Sequence, residues 1–142
     1  MITGLRFHHL GVACRDLDRE AAGWSPLGYR LAGEAFEDPA QGVRGCFLEG
    51  PGPRLELLMD LPGSDTVAGW LARGTKIYHQ AFEAAAFEPA LAALRSRCGA
   101  RLARAPRPAV AFGGRRVAFL WLDNRALVEL IEATASGEAS HG

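Results

Sequence analysis

The sequence predicts an α+β chain built from two tandem βαβββ modules, and two observations carry that prediction. The first is a repeated pair: His9-Leu10-Gly11-Val12 leads to Leu55-Glu56-Leu57-Leu58, and His79-Gln80-Ala81-Phe82 leads to Val128-Glu129-Leu130-Ile131. The His-to-Glu separations are 47 and 50 residues, and the two copies are offset by about 70. The second is that the same succession of hydrophobic periods fills both intervals, which is the signature of an internal duplication. A module that repeats a His and a Glu suggests one metal site made from four residues, two per half.

The elements follow in order. Module one, about 5–62, opens on the strand bearing His9 and continues into a helical stretch at 16–27. A short strand at 29–32, a longer apolar strand at 43–49, the turn Gly50-Pro51-Gly52-Pro53 and the strand bearing Glu56 complete it. A linker helix is expected at about 65–73, with Ser64 or Asp65 as N-cap and Gly74 as its stop. Module two, about 75–133, repeats the plan with a helix at 87–98, strands at 100–103 and 116–122, the turn Asp123-Asn124 and the strand bearing Glu129. The tail at 135–142, which holds His141, is rich in Ser, Gly and Glu and is expected to be disordered.

Strand alternation sets the direction of each candidate ligand. Leu10 and Val12 are the positions that would lie under the helix, so His9, Gly11 and Ala13 line the opposite face. Leu55, Leu57 and Met59, like Val128 and Leu130, take one face of their strands, leaving Glu56 and Glu129 on the other. In the second half Tyr78 and Phe82 are expected on the helix side and His79 and Ala81 on the cavity side, with Gln80 an unusual polar residue between them. Carboxylates set among large apolar residues need a cation or several hydrogen-bond donors. His8 falls on the other face from His9 and is read as structural.

The segments His9-Leu10-Gly11-Val12-Ala13, Gln41-Gly42-Val43, Leu55-Glu56-Leu57-Leu58, Tyr78-His79-Gln80-Ala81-Phe82 and Leu127-Val128-Glu129-Leu130-Ile131-Glu132 resemble the vicinal oxygen chelate superfamily, and within it glyoxalase I and the methylmalonyl-CoA epimerases. The likeness runs over about 5–133 as a single domain. It implies that the two modules form a curved mixed sheet around a divalent metal ion held by His9, Glu56, His79 and Glu129. Two imidazoles and two carboxylates suit Zn, Ni, Co, Mn or Fe(II) and leave positions on the ion for two neighbouring substrate oxygens. The resemblance further implies a metal-dependent lyase or isomerase acting through a metal-stabilised enolate, with Glu129 or Glu56 as the proton-transferring carboxylate. The substrate would be a small molecule such as an acyl-CoA or a 2-oxo compound, and the assembly a homodimer. One departure bears on specificity: the epimerase carries a catalytic Glu immediately before the motif matched by Gln41-Gly42-Val43, and here that position is Ala40. A different substrate is therefore expected.

Arg115 and Arg116 follow the Gly113-Gly114 turn and begin a strand on opposite faces, so either can reach an anionic substrate group. Together with Gln41 they are the candidate substrate contacts. Two other readings stand beside the lyase or isomerase. An iron-dependent ring-cleaving dioxygenase would use two His and one carboxylate, and Glu56 as a fourth ligand and the short chain weigh against it. A non-catalytic ligand-binding or resistance protein of the same fold would not need all four ligand positions.

Composition bounds the remaining possibilities. The 142 residues are 49% apolar and 23% charged with formal net charge zero, so no basic field points to nucleic acid or an anionic membrane. Lys76 is the single lysine among the cationic residues. Cys14, Cys46 and Cys98 are odd in number and widely spaced, which argues against a disulfide framework or a zinc knuckle. With neither a basic-then-apolar leader nor an apolar run of membrane-spanning length, a cytoplasmic protein is expected.

Overall fold

The computed structural model describes residues 1–134; the tail expected to be disordered, with His141, lies outside the described residues. The strands are β1 (Leu5–Ala13), β2 (Arg30–Asp38), β3 (Val43–Glu49), β4 (Leu55–Asp60), β5 (Ile77–Ala84), β6 (Arg101–Pro108), β7 (Arg116–Trp121) and β8 (Leu127–Glu132). The helices are α1 (Leu17–Trp24), α2 (Ala68–Ala72) and α3 (Phe87–Ser96). Four strands run in the order β2-β3-β4-β1 and four in the order β5-β8-β7-β6, a mixed eight-stranded α+β arrangement in which each set repeats the βαβββ plan. The chain divides into two compact units, one of residues 9–78 and one joining residues 1–8 to those from 79 onward.

In the first unit β4 returns parallel to β1 while β2, β3 and β4 form an antiparallel meander. The apolar faces of these strands and of α1 close over a core of Val12, Cys14, Leu17, Tyr29, Cys46, Leu48, Leu55 and Leu57. Asp16 caps α1 by accepting from the Arg19 backbone N–H at 2.9 Å. The helical stretch expected to reach residue 27 is α-helical only to Trp24 and tightens to a 3-10 turn over Ser25–Leu27. Pro26 lacks the N–H that would continue the α ladder, and Gly28 at φ 102° turns the chain out of it.

The strands expected at 29–32 and 100–103 both run further than the sequence suggested, as β2 and β6. Each carries register shifts that interrupt the period-two pattern, between Ala32 and Phe36 and between Leu102 and Arg107. Both end their four-strand order, where Pro106 and Pro108 of β6 cost no ladder partner on the outer side. At Gly45 an added Cβ would stand 2.6 Å from the Phe36 ring and 2.8 Å from Leu58, so only glycine lets those side chains cross β3.

The second unit repeats the plan: β8 lies parallel to β5, and β6, β7 and β8 form the antiparallel part. Its core joins Phe87, Ala90, Leu91 and Leu94 of α3 to Ala84, Ala118, Leu120 and Leu130. α3 ends at Ser96, two residues before the expected limit. The first residues of β1 belong to this unit: Arg6 pairs with Glu83, Phe7 meets Phe82 edge to face, and the Ala85 N–H donates to Gly4 O. Tyr78 does not join Phe82 on the α3 side; it stacks on Trp70 of the first unit, 5.4 Å between ring centres. Gln80 is exposed, which removes the difficulty of a polar residue in a strand core.

The linker helix is shorter than expected and differently capped. Neither Ser64 nor Asp65 serves; Asp60, at the end of β4, accepts from the backbone N–H groups of Val67 at 2.8 Å and Ala68 at 3.0 Å. A carboxylate outside the helix thus satisfies its first donors, and Gly74 at φ 77° terminates it as expected. Asp60→Ala should cost about 1–2 kcal/mol, the usual scale for a lost cap. Thermal unfolding should then shift down by roughly 2–4 °C per kcal/mol, and an unchanged midpoint would remove Asp60 from this role.

Candidate functional site

In the first unit the parallel pairing of β1 with β4 sets Gly11 directly opposite Glu56. His9, two residues earlier on the same face, sends Nε2 to within 3.0 Å of Glu56 Oε1. Gly11 has no side chain to stand between them. From the other flank, Phe47 of β3 is the register partner of Glu56, and its ring meets the His9 imidazole edge to face at 5.6 Å and 78°. His9 is wholly buried and Glu56 is 4% exposed.

The second unit builds the same arrangement from different residues. Ala81 stands opposite Glu129 across β5 and β8, and His79 Nε2 lies 3.2 Å from Glu129 Oε1. Phe119 of β7 is the register partner of Glu129 and meets the His79 ring at 5.2 Å and 89°. Both side chains are buried. The Phe47 and Phe119 equivalence is one the sequence reading missed, although its signal is there: each Phe precedes its Glu by nine or ten residues.

The chemistry of each pair is narrow. A buried carboxylate pressed against apolar neighbours is stable only with compensation, and an imidazole alongside offers either a proton or a lone pair. Each unit thus offers one imidazole and one carboxylate, both buried, which are donors of the kind that suit a divalent ion such as Zn, Ni, Co, Mn or Fe(II).

The candidate substrate contacts are differently placed. Gln41 Nε2 donates to Asp38 Oδ2 at 2.9 Å and its backbone N–H to Asp38 Oδ1, so its amide is turned onto its own loop. Asp38 is buried and Ala40 is exposed. Arg115 donates from Nη1 to Glu83 Oε2 at 2.8 Å and to the Glu132 carbonyl at 3.0 Å. Arg116 bonds Glu132 Oε2 and Glu88 Oε2 and lies over the Phe87 ring. Both guanidinium groups are held by carboxylates of their own unit.

Glu83 was not picked out from sequence, yet it is 5% exposed and shares the β5 face with His79 and Ala81. Arg6 holds one of its oxygens at 2.6 Å and Arg115 the other at 2.8 Å. Burial alone would raise its pKa, but the hydrogen bonds from Arg115 and Arg6 outweigh it and hold the carboxyl below its ordinary value. The signal was an acidic residue in period with His79 on an otherwise apolar strand face.

The chain is similar to known proteins over most of its length. The model of the Glyoxalase/Bleomycin resistance protein/Dioxygenase superfamily matches residues 8–119, and the chain belongs to that superfamily. A hypothetical protein from Bacillus halodurans C-125 superposes with a TM-score of 0.79 at 26% identity, over 99% of this chain and 100% of its own. The methylmalonyl-CoA epimerase of Mycobacterium tuberculosis superposes with a TM-score of 0.76 at 27% identity, over 95% and 91%. A variant of the Streptomyces coelicolor epimerase in complex with 2-nitronate-propionyl-CoA gives 0.73 at 28%, over 95% and 98%. No curated protein matches the sequence.

Glu83→Gln should destabilise the fold by about 2 kcal/mol at neutral pH; this is below the 3–5 kcal/mol of a fully buried pair, because water and two carbonyls still reach Arg115. Since the folded-state pKa of Glu83 is lowered, its contribution is present above the unfolded carboxylate pKa and is lost as pH falls through the folded value. Denaturant melts of the two proteins should therefore converge in acid. A gap that stays constant from neutral pH down to about pH 3, below ordinary carboxylate pKa values, would contradict the assignment.

Proposed function

We propose that His9, Glu56, His79 and Glu129 together hold one divalent ion, and that the protein is a metal-dependent lyase or isomerase acting on a small molecule at the carbon beside a carbonyl. The observation that carries this reading is that each module buries a His and a Glu side by side in the same register. Superfamily membership and the epimerase neighbours support an enzyme of this kind. Held by these four residues, a divalent ion would supply Lewis-acid polarisation of a substrate carbonyl and so lower the cost of the negative charge left when the adjacent proton is removed.

The chain's own residues divide the rest of the work. His9 and His79 are fixed by burial and by the edges of Phe47 and Phe119, so each presents Nε2 in one direction. Glu129 and Glu56 are the carboxylates placed to accept a proton, with Glu129 the first candidate. A solved relative binds methylmalonyl-CoA, which favours an acyl-CoA or 2-oxo compound as substrate. Ala40 offers only an exposed methyl group beside Gln41, and this favours a substrate other than methylmalonyl-CoA. Three free thiols, two of them buried, fit a reducing cytoplasm, and a homodimer is the expected assembly. Among the described residues no helix is long and apolar enough to cross a membrane.

Purified protein should contain about one divalent ion per chain, and a chelator should lower its melting temperature, because binding to the folded state alone stabilises it by mass action. The His9→Ala/His79→Ala protein should lose the ion and the chelator effect together. Full metal content in that double variant would overturn the ligand assignment.

Deuterium exchange from solvent into a panel of acyl-CoA and 2-oxo compounds should identify a substrate, with methylmalonyl-CoA among the poor ones. On that substrate Glu129→Gln should reduce exchange by about 100-fold or more, the scale of a lost positioned base. Glu56→Gln should cost less, with metal content measured in parallel. Equal small losses in both variants would place the base outside these carboxylates.

A further inference from the structure

The turn between β7 and β8 borders a cavity that the proposed metal chemistry does not use. It measures about 520 Å³ and is lined by Gly99, Arg101, Trp121, Leu122, Asp123 and Arg125. That volume falls within the range of roughly 300–1,000 Å³ in which small-molecule sites occur. Arg101 and Trp121 are register partners across β6 and β7, so an indole and a guanidinium rise from adjacent positions.

Arg125 is the only non-glycine with positive φ among the described residues, at 70°. Its turn is closed by the Leu122 N–H to Ala126 O and the Arg125 N–H to Leu122 O, and Asn124 Oδ1 accepts from the Ala126 N–H. Left-handed backbone of this kind suits Gly or Asn, and a long β-carbon-bearing cation there is strained. Strain of that sort collects where a side chain has a task. Arg101 and Arg125 hold no carboxylate among the described residues, and unlike Arg95, Arg97 and Arg104, which also hold none, they border this cavity.

We propose that this cavity binds a phosphorylated nucleotide, with its base stacked on Trp121 and its phosphate on Arg101 and Arg125. A guanidinium matches phosphate oxygens in a two-pronged geometry, and an indole face takes a base of any kind. Asp123, on the same wall, is an acceptor for a ribose hydroxyl or a base amine. The nucleotide has two sources with this chemistry, a free nucleoside diphosphate or the nucleotide half of a CoA thioester. The site stands independently of the metal reading, since none of its residues is a proposed ligand.

Calorimetric titration of the full chain with ADP, adenosine 3′,5′-bisphosphate, CoA, adenosine and inorganic phosphate tests it. At least one of the three nucleotide ligands should bind saturably, with adenosine and phosphate each weaker by about 10-fold or more, as expected when either the charged hydrogen bonds or the stacking is missing. Tighter binding of CoA would assign the thioester as source, and tighter binding of ADP the free nucleotide. Arg125→Gly is the informative variant: glycine relieves the turn, so the melting temperature should rise while nucleotide affinity falls by about 10-fold. Arg101→Gln and Trp121→Leu should weaken binding similarly, and His9→Ala/His79→Ala should leave it unchanged. No nucleotide binding by the wild type, adenosine or phosphate binding as tightly as ADP, or a stabilised Arg125→Gly protein with wild-type affinity would each overturn the proposal.

Discussion

Parallel pairing between the first and last strand of each module is the constraint on which the rest depends. A βαβββ chain can place its last strand beside its first only by reversing direction twice through β2 and β3, or through β6 and β7. That return puts Glu56 opposite Gly11 and Glu129 opposite Ala81. Because side chains alternate with period two, a slip of one residue in either ladder would turn the carboxylate toward the helix and a leucine toward the histidine. The apolar residues under α1 and α3 guard against that slip. Leu55, Leu57 and Leu130 are almost wholly buried on the helix side, so the same burial that drives folding fixes where the carboxylates point.

Small residues and phenylalanines complete this geometry at little cost. Gly11 and Ala81 keep the space between His and Glu open, and Phe47 and Phe119 close it from the neighbouring strand. An edge-to-face aromatic contact orients an imidazole without consuming either of its nitrogens. The ring can then direct Nε2 at its Glu while burial excludes the alternatives. Two copies of this device within one chain are more specific than one, because a hydrogen-bonded structural histidine has no reason to recur with a carboxylate, a small residue and a phenylalanine at matched offsets.

The duplication was legible in the sequence because it lives in period and spacing, which is why β3 is found over the span the apolar run gave and β7 within one residue of it. What escaped had other physical origins. The full lengths of β2 and β6 are hidden by bulges and by edge exposure, which remove the alternating pattern. The cap of α2 comes from Asp60, seven residues ahead of the first N–H that donates to it, and local capping rules look only one turn back. The Glu83 cluster joins Arg6, Glu83 and Arg115 across 109 positions of sequence, from 6 to 115, a distance no window can see. Arg115 and Arg116 were visible as charges beside a turn, but their partners were not.

The two modules also differ in a way that stability does not account for. Matched by offset, Ala13, Val43 and Met59 of the first module correspond to Glu83, Arg115 and Glu132 of the second. In the first, Ala13 and Val43 join Leu58 and Val67 in an apolar cluster covered by Trp70, Leu71 and Tyr78. In the second, the same positions carry Glu83 bonded to Arg115, with Glu132 drawn to Arg116. Replacing a buried ion pair by well-packed apolar residues is often neutral or stabilising by about 1–4 kcal/mol. The first module shows that this scaffold can seal the position with apolar side chains. A fold under pressure for stability alone would have no reason to keep the polar version in the other copy. What the charges add is direction rather than burial: Glu83 ties the end of β5 to Arg6 at the start of β1 and to Arg115 just before β7, fixed hydrogen-bonded links that a non-directional apolar cluster does not make.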